Sequence, residues 1–249
     1  MTPIDLILEG VGRRFTTPGG ALDALKDVRL GIPWGTMTAV VGRSGCGKTT
    51  LLRLIAGLDS PTTGTIRFAS RHGGELDRDH VRFGMVFQEP RLMPWLSVEG
   101  NVAFPLVGRF GRAEISRRVD GALEMTGLTD FRSAMPHQIS GGMAQRVALG
   151  RALAYDPDVV LMDEPFASLD YFTRRVMQRE VLRIRQRTGK TFILVTHDID
   201  EALAMGDSVV VLRDGEVAGT FHVPHLLDDS IHAELSQIKR EILMSIGEV

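Results

Sequence analysis

The chain of 249 residues carries 29 Lys and Arg against 31 Asp and Glu, for a formal net charge of −2. Its length suits one large α/β domain or two small ones, and its charge gives no electrostatic reason to expect a nucleic-acid partner, although local patches escape such a sum. The one cysteine, Cys46, excludes an internal disulfide; no apolar run nears the roughly 18–20 residues of a bilayer span, and Met1 to Asp5 does not open a signal peptide, so a cytosolic setting is expected.

Ile4 to Leu8 is apolar with one polar break, and Thr36 to Val41 is compact and partly β-branched; both read as short strands. Gly42 to Gly47 is a glycine-rich turn, and Lys48 to Leu58 then takes helical spacing through Leu51, Leu52, Ile55 and Leu58. The order is strand, glycine loop, helix. Thr65 to Phe68 and Phe83 to Phe87 are further strands. Between about residues 89 and 155 the pattern turns mainly helical. There Ala113 to Thr126 places Ile115, Val119, Ala122 and Leu123 on one face, and Ser140 is positioned to cap a helix running to about Ala154.

Val159 to Met162 and Thr191 to Val195 are apolar runs typical of a buried parallel sheet, with a helix over Tyr171 to Arg187 between them. Ser208 to Leu212 and Val217 to Phe221 flank Asp214-Gly215, a hairpin signal. From Ser230 onward Ile231, Leu235, Ile238 and Ile242 share a helical face, which is read as docking on its own domain rather than on a partner. Strands alternating with helices predict an α/β fold with a mostly parallel sheet. Its core covers residues 1–88 and 156–221, a helical insertion 89–155 and a helical tail 222–249.

Gly42-Arg43-Ser44-Gly45-Cys46-Gly47-Lys48-Thr49-Thr50 satisfies the phosphate-loop pattern in its proper setting. The glycines let backbone N–H groups turn inward with no Cβ in the way, and the helix aims its positive end at the same point. Lys48 then neutralises the β and γ phosphates of a nucleotide, and the Thr49 hydroxyl takes Mg²⁺. The plain alternative, a glycine turn with a solvated lysine, is disfavoured by the full match. Within the loop Cys46 is expected to favour its thiolate, since the helix end and Lys48 both present positive potential. A strand ending in Asp163-Glu164 adds a second element: Mg²⁺ balances Asp163, and Glu164 polarises an attacking water. Alone that pair is only an acidic turn; beside a phosphate loop it gains weight.

Three further segments narrow the class. Ile139-Ser140-Gly141-Gly142-Met143 exposes another helix N-terminus, a second anion site, while Gln88 and His197 each directly follow a predicted strand. In this order and spacing the stretch from about Leu6 to Glu216 resembles the ATP-binding subunits of ABC transporters. The resemblance implies a phosphate-loop NTPase core with an N-terminal antiparallel β subdomain and an inserted helical subdomain. It makes Gln88 a sensor of Mg²⁺ and the γ-phosphate, Glu164 the base and His197 the switch at the γ-phosphate. Ser140, Gly141 and Gly142 become the family signature, and Ser168-Leu169-Asp170 the loop that crosses a dimer interface to the nucleotide. Phe15 resembles the aromatic on which adenine stacks; core packing is its other reading. Departures are Ile139 and Met143, where the signature usually has leucine and glutamine, and Arg43, where proline or a small residue is common. Arg43 either adds charge near the phosphates or points to solvent.

By the same resemblance two copies of the chain enclose two ATP molecules, each between Lys48 of one copy and Ser140 and Gly142 of the other. Glu89 to Glu99, with two prolines and Trp95, is the expected contact with a separate integral-membrane permease; the alternative packs Trp95 inside the helical stretch. Leu92-Met93-Pro94-Trp95, Asn101-Val102-Ala103 and Asp163 to Asp170 are similar to importer ATPases for nitrate, sulfonate and taurine-like solutes. Such systems sit on the cytoplasmic face of the membrane and use an external solute-binding protein. An exporter or lipid-trafficking ATPase would share every catalytic residue. A soluble ABC ATPase would carry a long coiled coil or a second motif set, and a non-hydrolysing module would be expected to lose Glu164 or His197.

Overall fold

The computed structural model describes residues 4–18, 20–70, 74–224 and 231–247. In chain order the elements are β1 (Ile4–Thr17), β2 (Gly20–Ile32), β3 (Met37–Val41), α1 (Lys48–Ala56), β4 (Thr63–Ser70), β5 (Glu75–Leu76), β6 (Phe83–Val86), α2 (Val98–Ala103), α3 (Arg112–Met125), α4 (Gly141–Ala154), β7 (Val159–Asp163), α5 (Tyr171–Thr188), β8 (Thr191–Val195), α6 (Ile199–Met205), β9 (Ser208–Arg213), β10 (Glu216–His222) and α7 (Ile231–Ile246). They fall into two compact units, one of residues 1–81 and 191–249, the other of residues 82–190. The predicted helical insertion 89–155 therefore lies in a unit that also holds β6, β7 and α5.

In the first unit β2-β1-β4-β5 form an antiparallel sheet. The antiparallel β subdomain implied by the resemblance is thus present, but β1 runs well beyond the expected Leu8, and periodicity placed no strand at β2. The cause is a set of register shifts between Leu8 and Val11, Val11 and Arg13, and Arg13 and Arg14. Bulges break the alternation from which strands are read. β3 lies between β8 and β9, parallel to both, with β10 antiparallel beyond β9. The Asp214-Gly215 hairpin is thus present. Ile242 and Ile246 of α7 join Ala39, Val41, Ala202, Val209, Val211 and Val223 in one buried cluster, with Leu235 and Ile238 packed against it. The tail docks on its own unit, as the apolar stripe predicts; Ser230 and the Ile231 side chain lie outside the described residues.

In the second unit β6 pairs parallel with β7, from Phe83↔Val159 to Val86↔Met162. Val98, Val102, Leu106, Val119, Ala122, Leu123, Leu128 and Val147 form a buried core among the helices. The face predicted on α3 supplies three of them, and Ile115 packs against the cluster.

Candidate active site

All five residues of β3 are buried, and the chain leaves this strand at Gly42, directly into the phosphate loop. β8 leaves the sheet beside it: Val40 pairs with Val195, and Thr196 N–H donates to Val40 C=O at 3.1 Å. His197 follows and is exposed. Loop and histidine therefore emerge at the carboxyl ends of adjacent parallel strands, where open α/β sheets bind ligands.

The loop glycines are required by the space around them. Gly47 has φ +106°, and a Cβ there would sit 2.4 Å from the Ala24 carbonyl oxygen; one on Gly42 would sit 2.1 Å from that of Leu212. Only a bare backbone passes. The Lys48 ammonium is buried and donates to Gly42 O at 2.7 Å and Arg43 O at 3.0 Å, so the loop curls around its own cation. Thr49 follows, exposed on the first turn of α1. A cleft of about 490 Å³ opens at the loop mouth, walled by Leu22 and Lys26 of β2, by Arg43, Ser44 and Gly45, and by Asp214 of the hairpin turn. Arg43 is exposed and lines it, adding positive potential there.

Phe15 is half-buried and pairs with Leu22 across β1 and β2. The Arg13 guanidinium lies 4.6 Å from its ring centroid, so a base has at most the opposite face for stacking. Cys46 departs from expectation. It is 8% exposed, and burial pushes its thiol up, outweighing the opposing pull of the Lys48 charge. Both weigh against a thiolate at this position. Here the cost of desolvating a thiolate exceeds what the Lys48 charge and the backbone N–H groups of the loop return.

In the second unit the register of β6 and β7 brings two predicted residues to adjacent strand ends. Gln88 follows β6 and is exposed; Asp163 ends β7 half-buried, and Glu164 follows it. Glu164 has φ +46°, uncommon for a residue with a side chain. Such local strain concentrates at functional positions. The next turn closes through Ala167 N–H to Glu164 O at 3.2 Å and Leu169 N–H to Phe166 O at 3.1 Å. Asp170, expected near the nucleotide, here caps α5: its Oδ1 accepts from Phe172 N at 3.0 Å and Thr173 N at 3.1 Å. The Thr173 side-chain hydroxyl first, and then these backbone donors, hold its carboxyl below the usual carboxylate range.

Ser140 caps α4, its Oγ accepting from Met143 N–H at 3.2 Å. The cap uses the backbone of residue 143, so methionine there leaves it intact. Gly141 and Gly142 differ in what surrounds them. A Cβ on Gly141 meets nothing within 4 Å, whereas one on Gly142 lies 2.5 Å from Thr173 Cγ2 of α5. Gly142→Ala is expected to lower stability by about 1–3 kcal/mol, because the β-branched Thr173 has little rotamer freedom to retreat. Gly141→Ala should stay within about 0.5 kcal/mol. Thermal melting of both variants reads the difference, and equal melting points would contradict this account of α4 against α5.

Two residues that sequence reasoning assigned no role prove central. Asn101 is fully buried; its Oδ1 accepts from Met93 N at 2.7 Å while Nδ2 donates to the carbonyls of Met93, Leu96 and Ser97. From α4, Arg151 donates to Pro90 O at 2.7 Å and Arg91 O at 2.9 Å. The loop is thus pinned from both sides while Trp95 stands 70% exposed, which removes the reading of Trp95 as a core residue. Gln145 is the second. Its amide, 1% exposed, donates to Phe87 O at 3.1 Å and to Pro165 O at 2.5 Å. The sequence signal for both was an amide at a buried position of a helix, which periodicity scores as noise.

A profile of the ABC transporter family matches residues 25–167, more than half of the chain. A taurine import ATP-binding protein from Jannaschia sp. (strain CCS1) is 43% identical over 239 residues, covering 94% of this chain and 88% of that protein. An aliphatic sulfonates import ATP-binding protein from Xanthomonas axonopodis pv. citri (strain 306) is 40% identical over 253 residues, covering 99% of this chain and 98% of the relative. Among solved structures, a dimeric ATP-binding cassette in a post-hydrolysis state with ADP and Pi aligns with TM-score 0.74 and 33% identity, over 89% of this chain and all of that one. Among the described residues no helix is long and apolar enough to cross a membrane.

Proposed function

Because the chain belongs to the ABC transporter family, we propose that it is the ATP-binding and ATP-hydrolysing subunit of an importer, peripheral to the membrane on its cytoplasmic side. The observation that carries this reading is the phosphate loop from Gly42 to Thr50, closed on a buried Lys48 at the carboxyl end of β3.

In the proposed cycle Lys48 neutralises the β and γ phosphates of ATP, and the loop N–H groups replace their water. Thr49, Gln88 and Asp163 offer hydroxyl, amide and carboxylate oxygens, the hard donors that suit Mg²⁺; when bound, that ion neutralises charge developing on the phosphates. Glu164 accepts the proton of the attacking water, and His197 supports the γ-phosphate. Ser140, Gly141 and Gly142 present the N-terminus of α4 to the ATP of a second copy, with Asp170 in the loop between copies. ATP then joins the two chains, and hydrolysis releases them. Phe15 stacks the adenine on the face opposite Arg13.

The solute is of the taurine, sulfonate or nitrate type, the substrates in the names of relatives. A permease and an external binding protein would select it. Trp95, exposed on a loop fixed by Asn101 and Arg151, is the proposed permease anchor: an aromatic on a rigid base loses little entropy on docking. Trp95→Ala is expected to leave ATP turnover of the isolated chain within about twofold while weakening co-purification with its permease by roughly 30-fold, the effect of one interfacial hot spot. An undiminished permease complex would remove Trp95 from the interface. An isolated wild-type chain that shows no hydrolysis of MgATP would overturn the enzymatic reading itself.

A further inference from the structure

Gln145 sits one turn inside α4, beyond the cap at Ser140, and reaches out of the helix to two loops. Both hydrogens of its amide are used: one on the carbonyl of Phe87, the residue before Gln88, the other on the carbonyl of Pro165, the residue after Glu164. Since both partners are carbonyls, only the NH₂ end fits there, and the amide orientation is fixed by the network. We propose that Gln145 is a positioning residue for hydrolysis, holding Glu164 and Gln88 to the signature helix through one side chain. This rests on the functional reading above.

Three observations separate this from ordinary core packing. Gln145 is 1% exposed, yet its Oε1 has no hydrogen-bond partner among the described residues. A side chain selected only to fill space would be leucine or methionine, without a stranded acceptor. The donors are what the position requires. Next, Glu164 holds φ +46°, and Pro165 beside it has no N–H with which to brace the turn. The amide of Gln145 grips the Pro165 carbonyl and so holds the peptide that follows the strained residue. Finally, the two bonded carbonyls belong to the immediate neighbours of Gln88 and Glu164. Any movement of α4 therefore reaches both loops at once. The N-terminus of α4 is the part proposed to meet the partner's nucleotide, so Gln145 lets engagement of the signature be felt at the base.

The test replaces Gln145 by methionine, which keeps length and bulk but donates nothing. Turnover should fall by about tenfold or more, because small displacements of a catalytic group cost that much. The Kd for ATP should stay within about twofold, since the phosphate loop is untouched. Backbone hydrogen exchange should quicken at residues 88–89 and 167–169. Turnover within about twofold of wild type, with cooperative melting and unchanged exchange, would overturn the proposal. Should Gln145→Met fail to melt cooperatively, Gln145→Asn takes the same three measurements: it is smaller, keeps the amide, and is one methylene too short to span both carbonyls. A wild-type chain without ATPase activity would instead break the underlying functional reading, and the exchange data would still judge the tie.

Discussion

Replacing Glu164 by Gln is expected to cut ATP turnover by about 10²- to 10⁴-fold, the range that one general base supplies. The substitution keeps shape and removes only the capacity to take a proton. Position 164 follows β7 with φ +46°, and Gln has no greater backbone penalty there than Glu. The residues proposed to hold the nucleotide, Gly42 to Thr50, belong to other elements, so ATP binding should persist. With the γ-phosphate retained, the ATP-joined pair of chains should accumulate. Size-exclusion chromatography with MgATP then shows a dimer for Glu164→Gln where wild type, which consumes its ligand, is transient. A variant that stays monomeric and turns over ATP at the wild-type rate would sink both the base and the sandwich.

The parts of this site that the sequence made legible are those where chemistry demands a residue type at a fixed spacing. A loop that passes Leu212 O and Ala24 O at the contact distances found for Gly42 and Gly47 admits nothing but glycine. The parallel core strands were equally plain, because burial on both faces leaves continuous apolar runs such as Met37 to Val41 and Thr191 to Val195. β2 was missed for the opposite reason: seven of its thirteen residues are exposed, in a pattern that the β1 register shifts interrupt. α6, of seven residues, is too short to show a period.

Cys46 failed on a different ground. Its neighbours were read correctly, a helix N-terminus and Lys48, but the sign of its shift depends on burial, which local sequence does not report. Gln145 and Asn101 were illegible because their partners are backbone N–H and C=O groups, and a backbone group has no letter in the sequence. What the chain spells out is the phosphate chemistry. What it leaves unwritten is the scaffolding of amides that holds Glu164, Gln88 and Trp95.

Lys48→Met is expected to weaken MgATP binding by roughly 10- to 150-fold, from the loss of about 1.5–3 kcal/mol in hydrogen bonds to a charged group. The Lys48 ammonium donates to Gly42 O and Arg43 O, so it stabilises the curl of the loop and stands inside it as the positive charge that polyphosphate needs. Methionine keeps the stem packed against the buried start of α1 and removes both functions. Arg43 does not compensate, because its guanidinium is exposed at the cleft rim rather than enclosed by the loop. The two carbonyls lose their donor, and the loop should become mobile as well as weak. Titration with a fluorescent ATP analogue gives the affinity, and hydrogen exchange at residues 43–49 gives the loosening. ATPase rate at saturating nucleotide completes the set, and it should fall further than binding alone, since the same charge stabilises the transferring phosphoryl group. Binding of ATP within about threefold of wild type would mean that residues 42–50 are not where the phosphates lie.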